Sequence, residues 1–401
     1  MIRRIIPILL AFVFLAASIV YVSDTKQPVK PKDEDDISTS ESDEPAEELR
    51  GVWVTYMTLD VESESDKESA FKSKVDSIIE DMKAFDLNTM IVQVRPFSDA
   101  LYRSRYYPWS HILTGSQGED PGYDPLEYII EKAHNSDIKV HAWINPYRIT
   151  TANTPKELSD DNPYVKDNDI GVEINGALYL DPSSDKARRL IVNGSAEIVE
   201  KYDVDGIQFD DYFYPPDCGD FDSEAYEAYR AETDSPLSLD DFRKDNVNKL
   251  IKDVYEAVHK AKRDTVFGIS PQGHLSNNDG LYADVRTWCK EDGYIDYICP
   301  QLYFSLDNPA LTFEEGLRDW METEKHKGLD MYIGLPAYKA GTDADEGTWL
   351  DNDDILATEI AILREKGCQG FILYSYDSFH NEDNSAEIQN VMNYLTTSPT
   401  Q

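Results

Sequence analysis

The chain has 401 residues, of which 77 are acidic and 38 basic, so its formal net charge is 38 − 77 = −39. Such a surface repels phosphate and anionic lipid headgroups, which excludes nucleic-acid binding and docking on an acidic membrane face. A hydrophobic fraction of 41% with 11% aromatic residues excludes global disorder and is enough for a real core.

In chain order, the first element is an export signal. Arg3 and Arg4 precede an apolar run from Ile5 to Val22. A basic start followed by an apolar stretch reads as a secretory signal or signal anchor over residues 1–23. Leu15-Ala16-Ala17-Ser18 resembles a lipoprotein box, but Ser18 stands where the lipid-bearing cysteine would have to be. The expected location is therefore outside the cytoplasmic membrane, secreted or tethered through residues 5–22. Residues 24–48 carry Pro28, Pro31, Pro45 and the acidic run Asp33 to Asp36, a composition that reads as a solvated linker. A single folded domain is expected over residues 49–401.

From Leu49 onward, short apolar runs alternate with helical patterns. The runs are 50–56, 89–94, 139–144, 206–209, 266–269, 297–299, 331–334 and 370–374. Helical spacing marks 71–85, 126–133, 186–202, 239–262, 282–291, 313–327, 354–366 and 386–395. Eight strand–helix units predict a (β/α)8 TIM barrel; a doubly wound open sheet is the rival, weakened because no Gly-rich dinucleotide loop follows the first strand. Five runs end at a proline, namely Pro96, Pro146, Pro271, Pro300 and Pro336, which cannot continue a central ladder and so mark strand C-termini. Barrel enzymes place their chemistry at that rim. The polar and aromatic residues gathered there are Gln93, Arg95, Asn145, Tyr147, Arg148, His274, Gln301, Tyr303, Tyr338, Tyr374, Tyr376 and Asp377.

The most informative segment is Asp205-Gly206-Ile207-Gln208-Phe209-Asp210-Asp211-Tyr212-Phe213-Tyr214-Pro215. Period two sets Ile207 and Phe209 against the helices, with Gln208 and Asp210 facing the barrel interior. Adjacent carboxylates in a tyrosine-rich cleft repel each other, which raises one pKa. One protonated and one ionised carboxyl is what glycosidic cleavage uses. Alternatively, Asp211 caps its loop and Asp210 pairs with Arg95 or Arg148.

At this segment the chain resembles the bacterial glycosyl-hydrolase-like 10 family. The resemblance extends over Leu49-Arg50-Gly51-Val52-Trp53-Val54, Gln93-Val94-Arg95-Pro96, Ala142 to Arg148, Leu180-Asp181-Pro182, Asp203 to Pro215, Ile269-Ser270-Pro271 and Pro300-Gln301-Leu302-Tyr303. It implies a TIM-type barrel, export, and hydrolysis of bacterial envelope glycans, peptidoglycan strands among them. Asp210 and Asp211 are then the expected catalytic pair. In one version they act as in substrate-assisted hexosaminidases, one orienting the N-acetyl group and the other protonating the leaving oxygen. In the other version, one of the pair works with Asp99 or Asp377. Arg95 is expected to hold a carboxylate. Asn145, Gln301 and His274 are expected to bind sugar hydroxyls, and Tyr147, Tyr212, Tyr214, Tyr303 and Tyr376 to line the cleft beside Asp377. His141, inside a strand, reads as a core histidine. Cys289 and Cys299 read as buried thiols, while Cys218 and Cys368 suggest no pairing by spacing. No metal or cofactor is expected. The alternative of another class is a non-catalytic, glycan-binding barrel.

Overall fold

The computed structural model describes residues 47–215, 217–350 and 352–397. The expected export segment and the linker, apart from its last two residues, lie outside them. In chain order the elements are β1 (Leu49–Val54), α1 (Tyr56–Leu59), α2 (Lys67–Ala84), β2 (Thr89–Arg95), α3 (Pro125–His134), β3 (Lys139–Ile144), α4 (Pro163–Lys166), β4 (Gly171–Ile174), β5 (Ala177–Leu180), α5 (Asp185–Lys201), β6 (Gly206–Phe209), α6 (Ser223–Glu232), α7 (Leu239–Ala261), β7 (Val266–Ile269), α8 (Val285–Lys290), β8 (Tyr297–Ile298), α9 (Phe313–Glu322), β9 (Asp330–Leu335), α10 (Ile355–Lys366), β10 (Gly370–Leu373) and α11 (Ser385–Thr397).

Eight strands close in the order β1-β10-β9-β8-β7-β6-β3-β2, every pair parallel. This is the TIM barrel expected from the alternation of patterns. The helices start where polar caps supply acceptors for first-turn N–H groups. Asp66 caps α2, Ser184 caps α5 and Ser238 caps α7, while Thr312 and Glu315 form a reciprocal capping box on α9. The long helices lay apolar stripes on the barrel, such as Phe71, Val75, Ile78, Ile79 and Met82 of α2.

The strands divide their side chains between two cores. Outward residues, including Ile207 and Phe209, pack under the helices. Inward residues form a separate cluster of Leu49, Trp53, Ile91, Trp143, Tyr297, Cys299 and Ile372. Large interior rings need small neighbours: a Cβ on Gly268 would stand 2.2 Å from the Tyr297 ring. The barrel floor is knit by polar groups. Trp53 Nε1 donates to Gln208 Oε1 at 2.6 Å, Gln208 Nε2 donates to the Tyr297 hydroxyl at 3.2 Å, and His141 Nδ1 lies 3.0 Å from that hydroxyl. His141 is a core histidine, its pKa lowered to about 4 by burial. Cys289 and Cys299 are buried.

The β4–β5 hairpin and helices α1, α4 and α6 lie outside the eight-unit scheme. The hairpin interrupts the connection from β3 to α5 and turns on Asn175 and Gly176, with φ of 52° and 80°. Helix α6 precedes α7. Just before β1, Glu48 accepts two hydrogen bonds of 2.8 Å from Arg364 of α10.

Candidate active site

Asp210 and Asp211 follow β6 at the C-terminal mouth, and each is only 4% exposed. Asp210 Oδ2 accepts from Asn145 Nδ2, and Oδ1 faces the backbone N–H of Tyr212 at 3.5 Å. Asp211 is gripped by two amides: Gln272 Nε2 donates to Oδ2, and Gln301 Nε2 donates to Oδ1 at 3.1 Å. Gln272 and Gln301 are backbone-bridged neighbours just past β7 and β8, which sets both amides over one carboxylate.

Burial pushes the Asp210 carboxyl up to about 8, the charge of Asp211 adds to the rise, and Arg148 opposes it. Burial also raises Asp211, but its two amide donors favour the charged form and pull it back. At neutral pH the pair therefore holds a proton, and Asp210 is its site. The buried indole of Trp143 lies beside Asp210, and its N–H favours the charged form of that carboxyl.

Behind the pair stands a buried polar network. Gln93 Nε2 donates to Asn145 Oδ1 at 2.6 Å, and Arg148 Nη2 donates to the same oxygen at 2.9 Å. Arg148 is fixed by a 2.7 Å bond from its Nε to Pro96 O and by stacking over Phe97. Around the mouth, Tyr303, Tyr338 and Tyr374 make mutual ring contacts with centroids 5.8–5.9 Å apart. Tyr212 and Tyr338 are 50% and 44% exposed, the profile of rings free to stack on a ligand. The Tyr212 hydroxyl is pushed up to about 12, first by the Asp211 charge, which places the ring beside the pair. Tyr374 is raised by burial and then by Asp210 and Asp377.

The structure brings Asn145, Tyr212 and Gln301 to the pair, with Tyr303 in the aromatic wall. Arg95 goes elsewhere. The β2–β3 register shifts between Gln93, opposite Trp143, and Arg95, opposite Ile144. That extra residue turns Arg95 onto the outer face, where its guanidinium donates to the Tyr107 hydroxyl and stacks 4.5 Å from that ring. Arg148 takes the position near the pair that sequence reading shared between the two arginines. Tyr147 and Tyr214 are core residues, not cleft residues: both are fully buried, and Tyr214 packs on Tyr282 and accepts from Asn246 at 3.2 Å. Tyr376 turns toward α2 and donates to Asp81 at 2.6 Å. His274 is exposed, with Nδ1 3.0 Å from Ser276 Oγ rather than on either carboxyl of the pair. Asp377 accepts from Thr58 at 2.8 Å on the rim, while Asp99 is buried against His111 and Gln117. Gln272 was missed, although Pro271-Gln272 repeats the Pro300-Gln301 pattern after the next strand.

A closed parallel barrel with a buried carboxyl pair, one member protonated, at its C-terminal mouth and ringed by tyrosines defines a glycoside-hydrolase-type barrel. The chain belongs to the glycosyl hydrolase-like 10 family, whose model matches residues 48–351. It is 38% identical to the glycosyl hydrolase YngK of Bacillus subtilis over 354 residues, covering 81% of this chain and 68% of that one. It is 30% identical to the glycosyl hydrolase DigH of Escherichia coli strain K12, covering 79% of each. Among solved structures, the glycoside hydrolase domain of PgaB (BpsB) from Bordetella bronchiseptica superposes with a TM-score of 0.57 at 13% identity, covering 86% of this chain and 99% of that one. The alpha-L-fucosidase isoenzyme 2 of Paenibacillus thiaminolyticus gives 0.54 at 16% identity, over 86% and 49%. At these identities the two structures support the fold.

Proposed function

We propose that the protein is an exported glycosidase that hydrolyses N-acetylated envelope glycan, with peptidoglycan strands as the substrate class. One observation carries the reading: two adjacent carboxyls are buried at the barrel mouth, one holding a proton near neutrality and the other clamped by two amides. Asp210 is the general acid. Asp211 is the carboxylate that receives the N–H of the substrate's acetamido group and orients its carbonyl oxygen toward the anomeric carbon. That oxygen attacks, the bond from the anomeric carbon to the leaving oxygen breaks, and the leaving oxygen takes the proton of Asp210. Water then opens the cyclic intermediate, returning a proton to Asp210. Adjacent carboxylates suit this route, because no separate protein nucleophile is needed and Asp99 is committed to His111 and Gln117. Tyr212, Tyr303 and Tyr338 supply stacking surfaces. The basic start and apolar run of residues 3–22 support export.

The test is incubation of the purified chain with intact and peptide-free peptidoglycan, with the released ends read by mass spectrometry. New reducing ends from the parent and none from Asp210→Asn are expected. Retention of the chain on glycan without any cleavage, in parent and variant alike, would instead make it a binding barrel.

A further inference from the structure

We infer that Gln93 is a positioning residue that acts through Asn145, together with Arg148, to fix which oxygen of Asp210 carries the transferable proton. The inference rests on the reading of Asp210 as the general acid. The side-chain amides here are not free to swap their oxygen and nitrogen ends. The backbone N–H of Tyr56 can only donate, and it points at Gln93 Oε1 at 3.0 Å. Gln93 must then present its NH2 to Asn145, 2.6 Å away. Arg148 can only donate as well, and its Nη2 reaches the same Asn145 oxygen at 2.9 Å. Two donors on that oxygen leave Asn145 one orientation, with its NH2 directed at Asp210 Oδ2.

The chain of donors runs in one direction, from the first residue of α1 to the acid. Gln93 and Asn145 are both buried, so water does not compete for these bonds, and each bond polarises the next. With Oδ2 accepting from Asn145, the proton of Asp210 resides on Oδ1, the oxygen that faces the Tyr212 N–H at 3.5 Å. Asn145 also stabilises the carboxylate left after transfer. Breaking the relay therefore makes Asp210 harder to ionise and frees Asn145 to rotate its carbonyl oxygen onto the acid, where it would trap the proton.

The experiment is a pH profile of kcat/KM on peptide-free glycan strands for the full chain, Gln93→Met, Gln93→Glu and Arg148→Met, with Asp210→Asn as control. A hydrogen bond to a charged group is worth enough to move the alkaline limb of Gln93→Met upward by roughly one pH unit. We expect that shift, a fall in kcat near neutrality of about tenfold, and a nearly unchanged KM. Gln93→Glu, whose carboxylate can only accept, should turn Asn145 over and move the limb further in the same direction. The shift is also readable without turnover, as the pH at which the stability difference between each variant and its double with Asp210→Asn stops growing. A folded Gln93→Met with the parent's alkaline limb overturns the relay, while an inactive Asp210→Asn would leave the acid assignment standing. If Gln93→Met does not fold, Arg148→Met acts on the same Asn145 oxygen, and an unmoved limb there overturns the inference too.

Discussion

Replacing Asp210 with Asn keeps the shape of the side chain and removes its proton chemistry, so it separates stability from catalysis. The folded-state pKa of Asp210 is about 8, against 3.8 for a free carboxyl. Between those values the folded chain holds a proton that the unfolded chain has released. The sign follows directly: this group's contribution is fully present below about pH 4 and is lost as pH rises through about 8. The slope is about 1.4 kcal/mol per pH unit, hence about 3 kcal/mol between pH 5 and pH 7. Asn carries no such linkage. The stability advantage of Asp210→Asn over the parent should therefore grow by that amount over those two units and level off above about pH 8.

Other linked groups do not blur the comparison. Burial lowers His141 to about 4, so its contribution is lost as pH falls from about 6.5 toward 4, the opposite slope. Glu387 is raised by burial to about 7 and slopes with Asp210. Both are common to parent and variant and cancel in the difference. Urea unfolding followed by tryptophan fluorescence at pH 5, 6, 7 and 8 gives the curve, and turnover on the same samples should fall by about 10²–10⁴. A pH-independent difference, or an Asp210→Asn that is less stable than the parent at pH 7, would refute the assignment of a buried, protonated acid.

Asp211→Asn should lose at least about 100-fold in turnover, and its residual activity should have an alkaline limb at lower pH than the parent's, because the charge that raises Asp210 is gone. Arg243→Met should destabilise by about 3–5 kcal/mol in chemical denaturation, since Arg243 bonds both oxygens of buried Asp222 at 2.8 and 2.6 Å and also holds Gly219 O and Tyr282 at the base of the loop after the acid pair. Gly268→Ala should lower Tm and lose about 1–3 kcal/mol, because its Cβ would meet the Tyr297 ring at 2.2 Å.

What was legible in the sequence follows from what each signal encodes. Strand identity and facing are written in local alternation, so Ile207 and Phe209 fell under the helices and Gln208 turned inward without any tertiary information. Proline positions likewise marked the mouth, because a missing N–H ends a ladder wherever it occurs. The hairpin over 171–180 carries its own signal, an Asn-Gly turn between alternating residues, which belongs to no βα unit.

Side-chain destinations at the rim were less legible, for two physical reasons. One extra residue between Gln93 and Arg95 reverses which face Arg95 presents, and a bulge depends on the partner strand, which local pattern does not contain. Beyond the strand ends, alternation stops, so Tyr212, Tyr214 and Tyr376 are equivalent in sequence yet go to solvent, core and α2 respectively. The amide clamp on Asp211 illustrates the same limit from the other side. Gln272 and Gln301 follow different strands, and their convergence depends on barrel closure order, so either glutamine alone is an ordinary loop residue. Only the shared Pro-Gln step after consecutive strands hints that both side chains start from the same height and reach the same carboxylate.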